Sequence, residues 1–244
     1  MLFVTLHLLA VAAVRYAMRF AGKCNPVKTT LDEFPDEMAS GYRPRIAEVE
    51  GLGFVCAGTY DCGNLSNDTR SYVALFVKPG TDDYAQLSAV ITPMGCSEYL
   101  EFSTTLSSGV TLETNSNAIP PLVPANPDRQ VFRFPKTRAA QNLYGIHRQL
   151  LAKHANGMCG NPEGPSDPLR RYIRTVENFG PRLERAGWLR PAGDGFQLTW
   201  KGALLLTWRG VWPNTMLRRL HQQHQMQEEL RGLQVQGVTA LQKA

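Results

Sequence analysis

The stretch "SYVALFVKPGTDDYAQLSAVIT", residues 71–92, decides the fold. A β-branched and aromatic run, a Pro-Gly turn followed by two aspartates, and a second partly alternating run spell two strands joined by a hairpin. Working outward, the same chemistry recurs. Strands are predicted at 51–60, 71–78, 84–92, 98–105 and 110–114, with "KPGTDD" and "LSSG" as hairpin connections. A short helix is predicted at 36–50. A longer one at 137–155 has Thr137 as N-cap and Leu143, Ile146, Leu150 and Leu151 as its apolar stripe. An antiparallel β-meander with one buried face needs a cover, and that helix supplies it. The expectation is an α+β domain over residues 30–155.

Upstream lies "MLFVTLHLLAVAAV", with Thr5 and His7 as its polar interruptions and Arg15, Arg19 and Lys23 after it. Residues 1–20 as one helix reach about 30 Å, the thickness of a hydrocarbon core, if the arginines extend to the interface. Bases after the apolar run and no small-x-small site argue against a cleaved signal peptide. The segment therefore predicts a retained, single-pass transmembrane anchor over residues 1–22. The excess of bases on its downstream side places the bulk of the chain in the cytoplasm.

Downstream, the glycine- and proline-rich "ANGMCGNPEGPSDP" separates the sheet domain from a module at 166–213 and a polar helical tail at 214–244. A helix is predicted from 168 towards 185, interrupted by Pro181 because proline lacks an amide donor and clashes with the preceding turn. "GWLRPAGDGFQLTWKG", residues 187–202, then reads as a hairpin turning at 193–195 and opening a closing helix. The order helix, Gly187-Trp188-Leu189, turn, Phe196-Gln197-Leu198-Thr199-Trp200-Lys201-Gly202 resembles the last helix and wing of bacterial winged-helix domains. The resemblance covers about 40 residues. It implies a winged-helix-like fragment, while such domains need a first helix and a helix-turn-helix upstream, where the sheet domain stands in sequence.

Charge is uneven. The whole chain is +5, yet residues 170–219 carry ten bases against three acids, a net of +7 that leaves the remainder at −2. All four tryptophans, Trp188, Trp200, Trp208 and Trp212, fall in that stretch. Indoles beside arginines and a leucine-rich run are the composition of an interface with lipid headgroups. The interface set expected from sequence is Arg15, Arg19, Trp188, Arg190, Trp200, Lys201, Trp208, Arg209 and Trp212. The partners it implies are anionic lipid headgroups and a membrane protein, with nucleic acid as the alternative.

Motifs for chemistry are missing. The chain has no GxGxxG, GxxxxGK[ST], HExxH or GxSxG, so it gives no nucleotide, zinc or serine-hydrolase signal and no cofactor. His147 and His154 share a predicted helix face without further ligands, and His221 and His224 sit in the polar tail. Five cysteines without a CxxC pair read as buried thiols, with Cys56–Cys62 as the pair that an oxidising compartment would join. Cys96 is a candidate nucleophile with no assignable histidine. The reading from sequence is a membrane-anchored, non-catalytic accessory or interaction subunit. Its alternatives are a membrane-tethered nucleic-acid-binding protein and an enzyme with an unrecognised site.

Overall fold

The computed structural model describes residues 2–66, 69–92, 95–154, 167–211 and 213–233. Helix α1 (Leu2–Ala17) leads into short strands β1 (Arg19–Ala21) and β2 (Val27–Thr29), and α2 (Asp36–Glu50) follows a single 3-10 turn. The predicted meander comes next: β3 (Val55–Ser66), β4 (Thr69–Val77), β5 (Asp83–Thr92), β6 (Gly95–Thr105) and β7 (Thr111–Asn115). After β8 (Arg129–Arg133) come α3 (Ala140–His154), α4 (Pro168–Glu177) and α5 (Phe179–Arg185). The hairpin β9 (Leu189–Ala192) and β10 (Gly195–Leu198), α6 (Trp200–Gly210) and α7 (Asn214–Gly232) end the described chain.

Among the described residues the strands form one ten-stranded sheet, ordered β8-β7-β6-β5-β4-β3-β1-β10-β9, with β2 also paired to β3. The architecture is α+β, but the sheet is mixed rather than the expected all-antiparallel meander. The hairpin-linked strands pair antiparallel, whereas β8 runs parallel to β7. Parallel pairing needs a long return connection, and the proline-rich crossing at 116–128 is that connection.

Alternation divides the sheet into two chemically different faces. Tyr72, Ala74, Phe76, Ala85, Leu87, Leu100, Phe102 and Leu112 point to one side and are buried with Leu143, Ile146, Leu150 and Leu151 of α3 and Tyr42 and Val49 of α2. At roughly 1.5–3 kcal/mol for each fully buried aliphatic or aromatic side chain, this cluster dominates the stability of the sheet. Helix α3 begins at Ala140 rather than at the expected cap Thr137, whose amide instead closes a turn on the Phe134 carbonyl at 2.9 Å. The other face carries polar side chains and is taken up below.

The expected transmembrane anchor is not found. No helix among the described residues is long and apolar enough to cross a membrane. The 16 residues of α1 rise about 24 Å, and the chain then turns into β1, so Arg19 enters a strand instead of extending a span. Val11, 3% exposed, packs in one cluster with Leu183, Trp188, Leu189, Leu198, Ala203 and Leu206. The single-pass localisation, and the cytoplasmic placement deduced from it, fall with the anchor. The apolar run 1–14 resembles a span because it also serves a protein core.

The same packing joins the two ends of the chain. β1 pairs with β10, Phe20 opposite Phe196, and through β1 the C-terminal hairpin continues the main sheet. The helix predicted towards residue 185 does break. Asn178 separates α4 from α5, and Pro181 occupies the first turn of α5, where its missing amide would lack an intrahelical partner anyway. The turn from β10 into α6 is fixed by Thr199, whose hydroxyl accepts from the Gly202 amide at 3.0 Å. Gly202 has no substitute: a Cβ there would lie 2.1 Å from the Trp188 carbonyl oxygen.

Candidate functional site

Helix α6 presents Trp200, Leu204 and Trp208 at four-residue spacing, one stripe of a helix. All three are exposed, the two indoles at 55% and 54%. Helix α1 lies alongside and adds exposed Leu8 and Tyr16. The Tyr16 ring meets Trp200 edge-on at 6.3 Å, and the His7 ring meets Trp208 edge-on at 6.2 Å. Arg15 lies under this surface, its guanidinium 4.5 Å from the Trp200 ring centroid and 4.9 Å from that of Tyr16. Residues 1–31 and 195–227 contain no aspartate or glutamate. The fold sets these two acid-free segments side by side.

The expected interface set is therefore divided. Arg15 is 8% exposed and mostly spent on aromatic rings, and Trp188 is buried in the core with Arg209 above it at 4.7 Å. Arg19 is exposed on β1, Arg190 donates to the Gln197 side chain at 2.9 Å, and exposed Lys201 donates to the Ala186 carbonyl at 3.0 Å. Trp200 and Trp208 lie on the surface, and Trp212 lies outside the described residues. Leu8, Tyr16 and Leu204 were missed. Leu204 was legible from its four-residue offsets to both tryptophans; Leu8 and Tyr16 were hidden by the span reading of α1.

Several arginines counted as a basic surface hold backbone instead. Arg182 donates to the carbonyls of Pro124 and Ala125 at 2.9 and 3.2 Å, Arg209 to that of Leu122 at 3.0 Å, and Arg218 to that of Pro121 at 2.8 Å. Three helices thus clasp the proline-rich crossing, whose prolines leave unpaired carbonyl acceptors but offer no amides.

Between the polar sheet face and α4–α5 lies a cleft of about 680 Å³. Its floor is ionic. The Arg129 guanidinium pairs with Glu113 and stands 3.5 Å from Glu101, whose other oxygen accepts from the Asn115 amide at 3.2 Å. Glu113 is 3% exposed; burial first, and then the neighbouring Glu101, push its carboxyl up to about 8. The helical wall carries Arg171 and Arg174.

The histidines and cysteines resolve differently. His147 is fully buried between Thr104 and Thr114, at 2.9 and 3.0 Å from their hydroxyls, and burial lowers it to about 4. Thr104 in turn donates to Asp83 at 2.6 Å. His147 is thus a satisfied core histidine. His154 stacks on Phe132, while His221 and His224 are exposed on α7. Among the described residues no group of three or more His, Cys, Asp or Glu is placed to hold a metal ion. Cys56 and Cys62 lie on the one continuous strand β3, six residues and so about 20 Å apart, with Cys56 against the helix-covered core and Cys62 in the cluster on the opposite face; no turn brings them together as a pair. A β-bulge between Cys56 and Gly58 shifts the register by one residue, which reverses the facing of everything beyond it. Cys62 instead adjoins Cys24. Exposed Cys96 stands on β6.

No known protein family, curated protein or solved structure matches the chain.

Proposed function

We propose that this chain is a non-catalytic interaction module that docks on anionic lipid headgroups through the α1/α6 surface and there meets a membrane-associated partner. The observation that carries this reading is the pairing of two acid-free segments around the exposed stripe Trp200–Leu204–Trp208. Indoles favour the boundary between hydrocarbon and headgroup, and each nearby base adds about 1 kcal/mol at an anionic surface. Lys201 is the exposed base next to Trp200 in sequence, Arg19 is exposed on β1, and neither acid-free segment supplies an acid to oppose them. This mode lays the helices on a surface and needs no span.

The test is sedimentation of the full chain with vesicles of phosphatidylglycerol and phosphatidylcholine, against phosphatidylcholine alone. Binding is expected with the anionic vesicles and a blue shift of indole emission with it. Trp200→Ala with Trp208→Ala should weaken binding at least tenfold while leaving thermal stability nearly unchanged, because both side chains are more than half exposed. Wild-type binding by that variant, or no binding by the native chain, refutes the reading.

One observation favours nucleic acid as a second reading. The winged-helix resemblance requires a first helix and a helix-turn-helix upstream of the hairpin. On this reading α1, with β1 paired to β10, would serve as the first helix and the α4–α5 pair as the helix-turn-helix, with the meander between them in sequence. Duplex DNA binding that falls steeply with salt and is untouched by the double tryptophan variant would establish this reading over the first.

A further inference from the structure

We propose that the cleft between α4–α5 and the polar sheet face binds a soluble, hydroxylated small molecule bearing an oxyanion, such as a sugar phosphate, with Arg171 and Arg174 gripping the anion. This site is separate from the α1/α6 surface and does not rest on lipid docking.

Helix α4 has two working faces. Leu169, Tyr172, Ile173 and Val176 pack on Cys24, Tyr60, Cys62, Val73 and Leu75, which fixes the helix against the sheet. Arg171, Arg174 and Thr175 of α4, with Asn178 at the junction and Arg182 of α5, line the cleft. The Arg171 guanidinium lies flat enough on the Tyr84 ring to sit 4.2 Å from its centroid, and one Nη reaches the Ser103 hydroxyl at 3.4 Å. No carboxylate of the described residues stands within 4.0 Å of it. A guanidinium has five donors, of which Ser103 and Tyr84 take up only part; burial lowers its affinity for the proton it carries, while Tyr84, Glu113 and Glu101 nearby favour its charge. Such a cation in a desolvated wall is costly unless an anion joins it. Arg174, one turn on, has no side-chain hydrogen bond or ion pair among the described residues.

The remaining charges do not fill that role. On the floor, Arg129 is already matched by Glu101 and Glu113. Asp167 is occupied as the N-cap of α4, accepting from the Leu169 amide at 2.9 Å. Arg182 is committed to the proline-rich crossing. The wall's two guanidinia face a floor that carries the Ser103, Thr105 and Thr111 hydroxyls beside Arg129 and the carboxyls of Glu101, Glu113 and Asp128, of which Glu113 is held up to about 8. Guanidinia match the paired oxygens of phosphate or carboxylate, and hydroxyls match a polyhydroxylated body. A volume of about 680 Å³ suits one small molecule.

The experiment titrates the full chain with inorganic phosphate, glycerol 3-phosphate and glucose 6-phosphate at fixed ionic strength, by calorimetry and phosphorus NMR, with sodium chloride as control. Saturable binding of one anion per chain is expected, at least tenfold tighter for an ester than for inorganic phosphate. Arg174→Gln, on an exposed position, should weaken it at least tenfold without moving the melting temperature, and Arg171→Lys should weaken it while keeping the charge. Trp200→Ala with Trp208→Ala should leave it unchanged, just as Arg174→Gln should leave vesicle binding unchanged. Absence of saturable binding to all three anions, binding only to phosphatidic acid vesicles and not to the soluble esters, or wild-type affinity in Arg174→Gln overturns the proposal.

Discussion

Replacing Val11 by alanine tests whether α1 is core or appendage. Val11 is 3% exposed among Leu183, Trp188, Leu198 and Leu206, so the substitution removes two buried carbons. Their transfer alone is worth about 1.6 kcal/mol at roughly 0.8 kcal/mol each, and the residual cavity brings the loss to about 2–3 kcal/mol. For a chain of this size that corresponds to a fall in melting temperature of about 4–12 °C. Leu9, on the same helix and 62% exposed, is the internal control: Leu9→Ala should cost no more than about 0.5 kcal/mol. Urea denaturation followed by far-ultraviolet circular dichroism measures both. Equal and small losses for the two variants would refute the packing of α1 into the C-terminal module.

Three further outcomes follow from buried titratable groups and thiols. His147 is held down to about 4, so between about pH 6.5 and 4 the unfolded chain takes up a proton that the folded chain refuses. Stability should therefore fall as pH drops through that window, by up to roughly 3 kcal/mol, and the difference between native protein and His147→Gln should show that slope; a flat difference curve refutes it. Glu113, held up to about 8, acts oppositely: stability falls as pH rises from about 4.5 to 8, and Glu113→Gln should abolish that component. Phe20 stands opposite Ser66 and Val27 opposite Asp61, which brings Cys24 across from Cys62. Hydrogen peroxide should yield a Cys24–Cys62 disulfide in peptide mapping, lost in Cys24→Ser, with two waters as the reduced product; a Cys56–Cys62 peptide would contradict the register.

Local chemistry made much of this fold legible. The hairpins at 78–83 and 106–110, the α3 stripe and the helix break just ahead of Pro181 follow from side-chain periodicity and turn residues, which act over a few positions. What was not legible depends on distant partners. β1 and β2 are three residues each, and nothing in "RFA" or "VKT" announces a strand until β10 or β3 lies beside it. The course of the chain through Cys62 was lost for a related reason: the strand expected to stop at residue 60 runs on to Ser66 because β4 lies beside it. The cleft was invisible because its floor and wall come from strands and helices some 60 residues apart, joined only when α4 packs on the sheet.

Charge shows the same dependence on distant partners and settles which signal deserves weight. The ten bases of 170–219 suggested one basic surface, yet Arg182, Arg209 and Arg218 are consumed by carbonyls of the proline-rich crossing and Arg190 by a glutamine. An arginine can be absorbed by any acceptor that folding brings near, including the backbone, so a count of bases overstates the field they leave outside. A run without acids is harder to cancel, because opposing charge must then come from another segment. Residues 1–31 and 195–227 are two such runs, and packing α1 against α6 makes each the other's neighbour. Neither brings the other an acid. The proposed lipid-facing role of the Trp200 and Trp208 surface rests on this absence of acids in both segments, rather than on the number of bases in the arginine-rich helices.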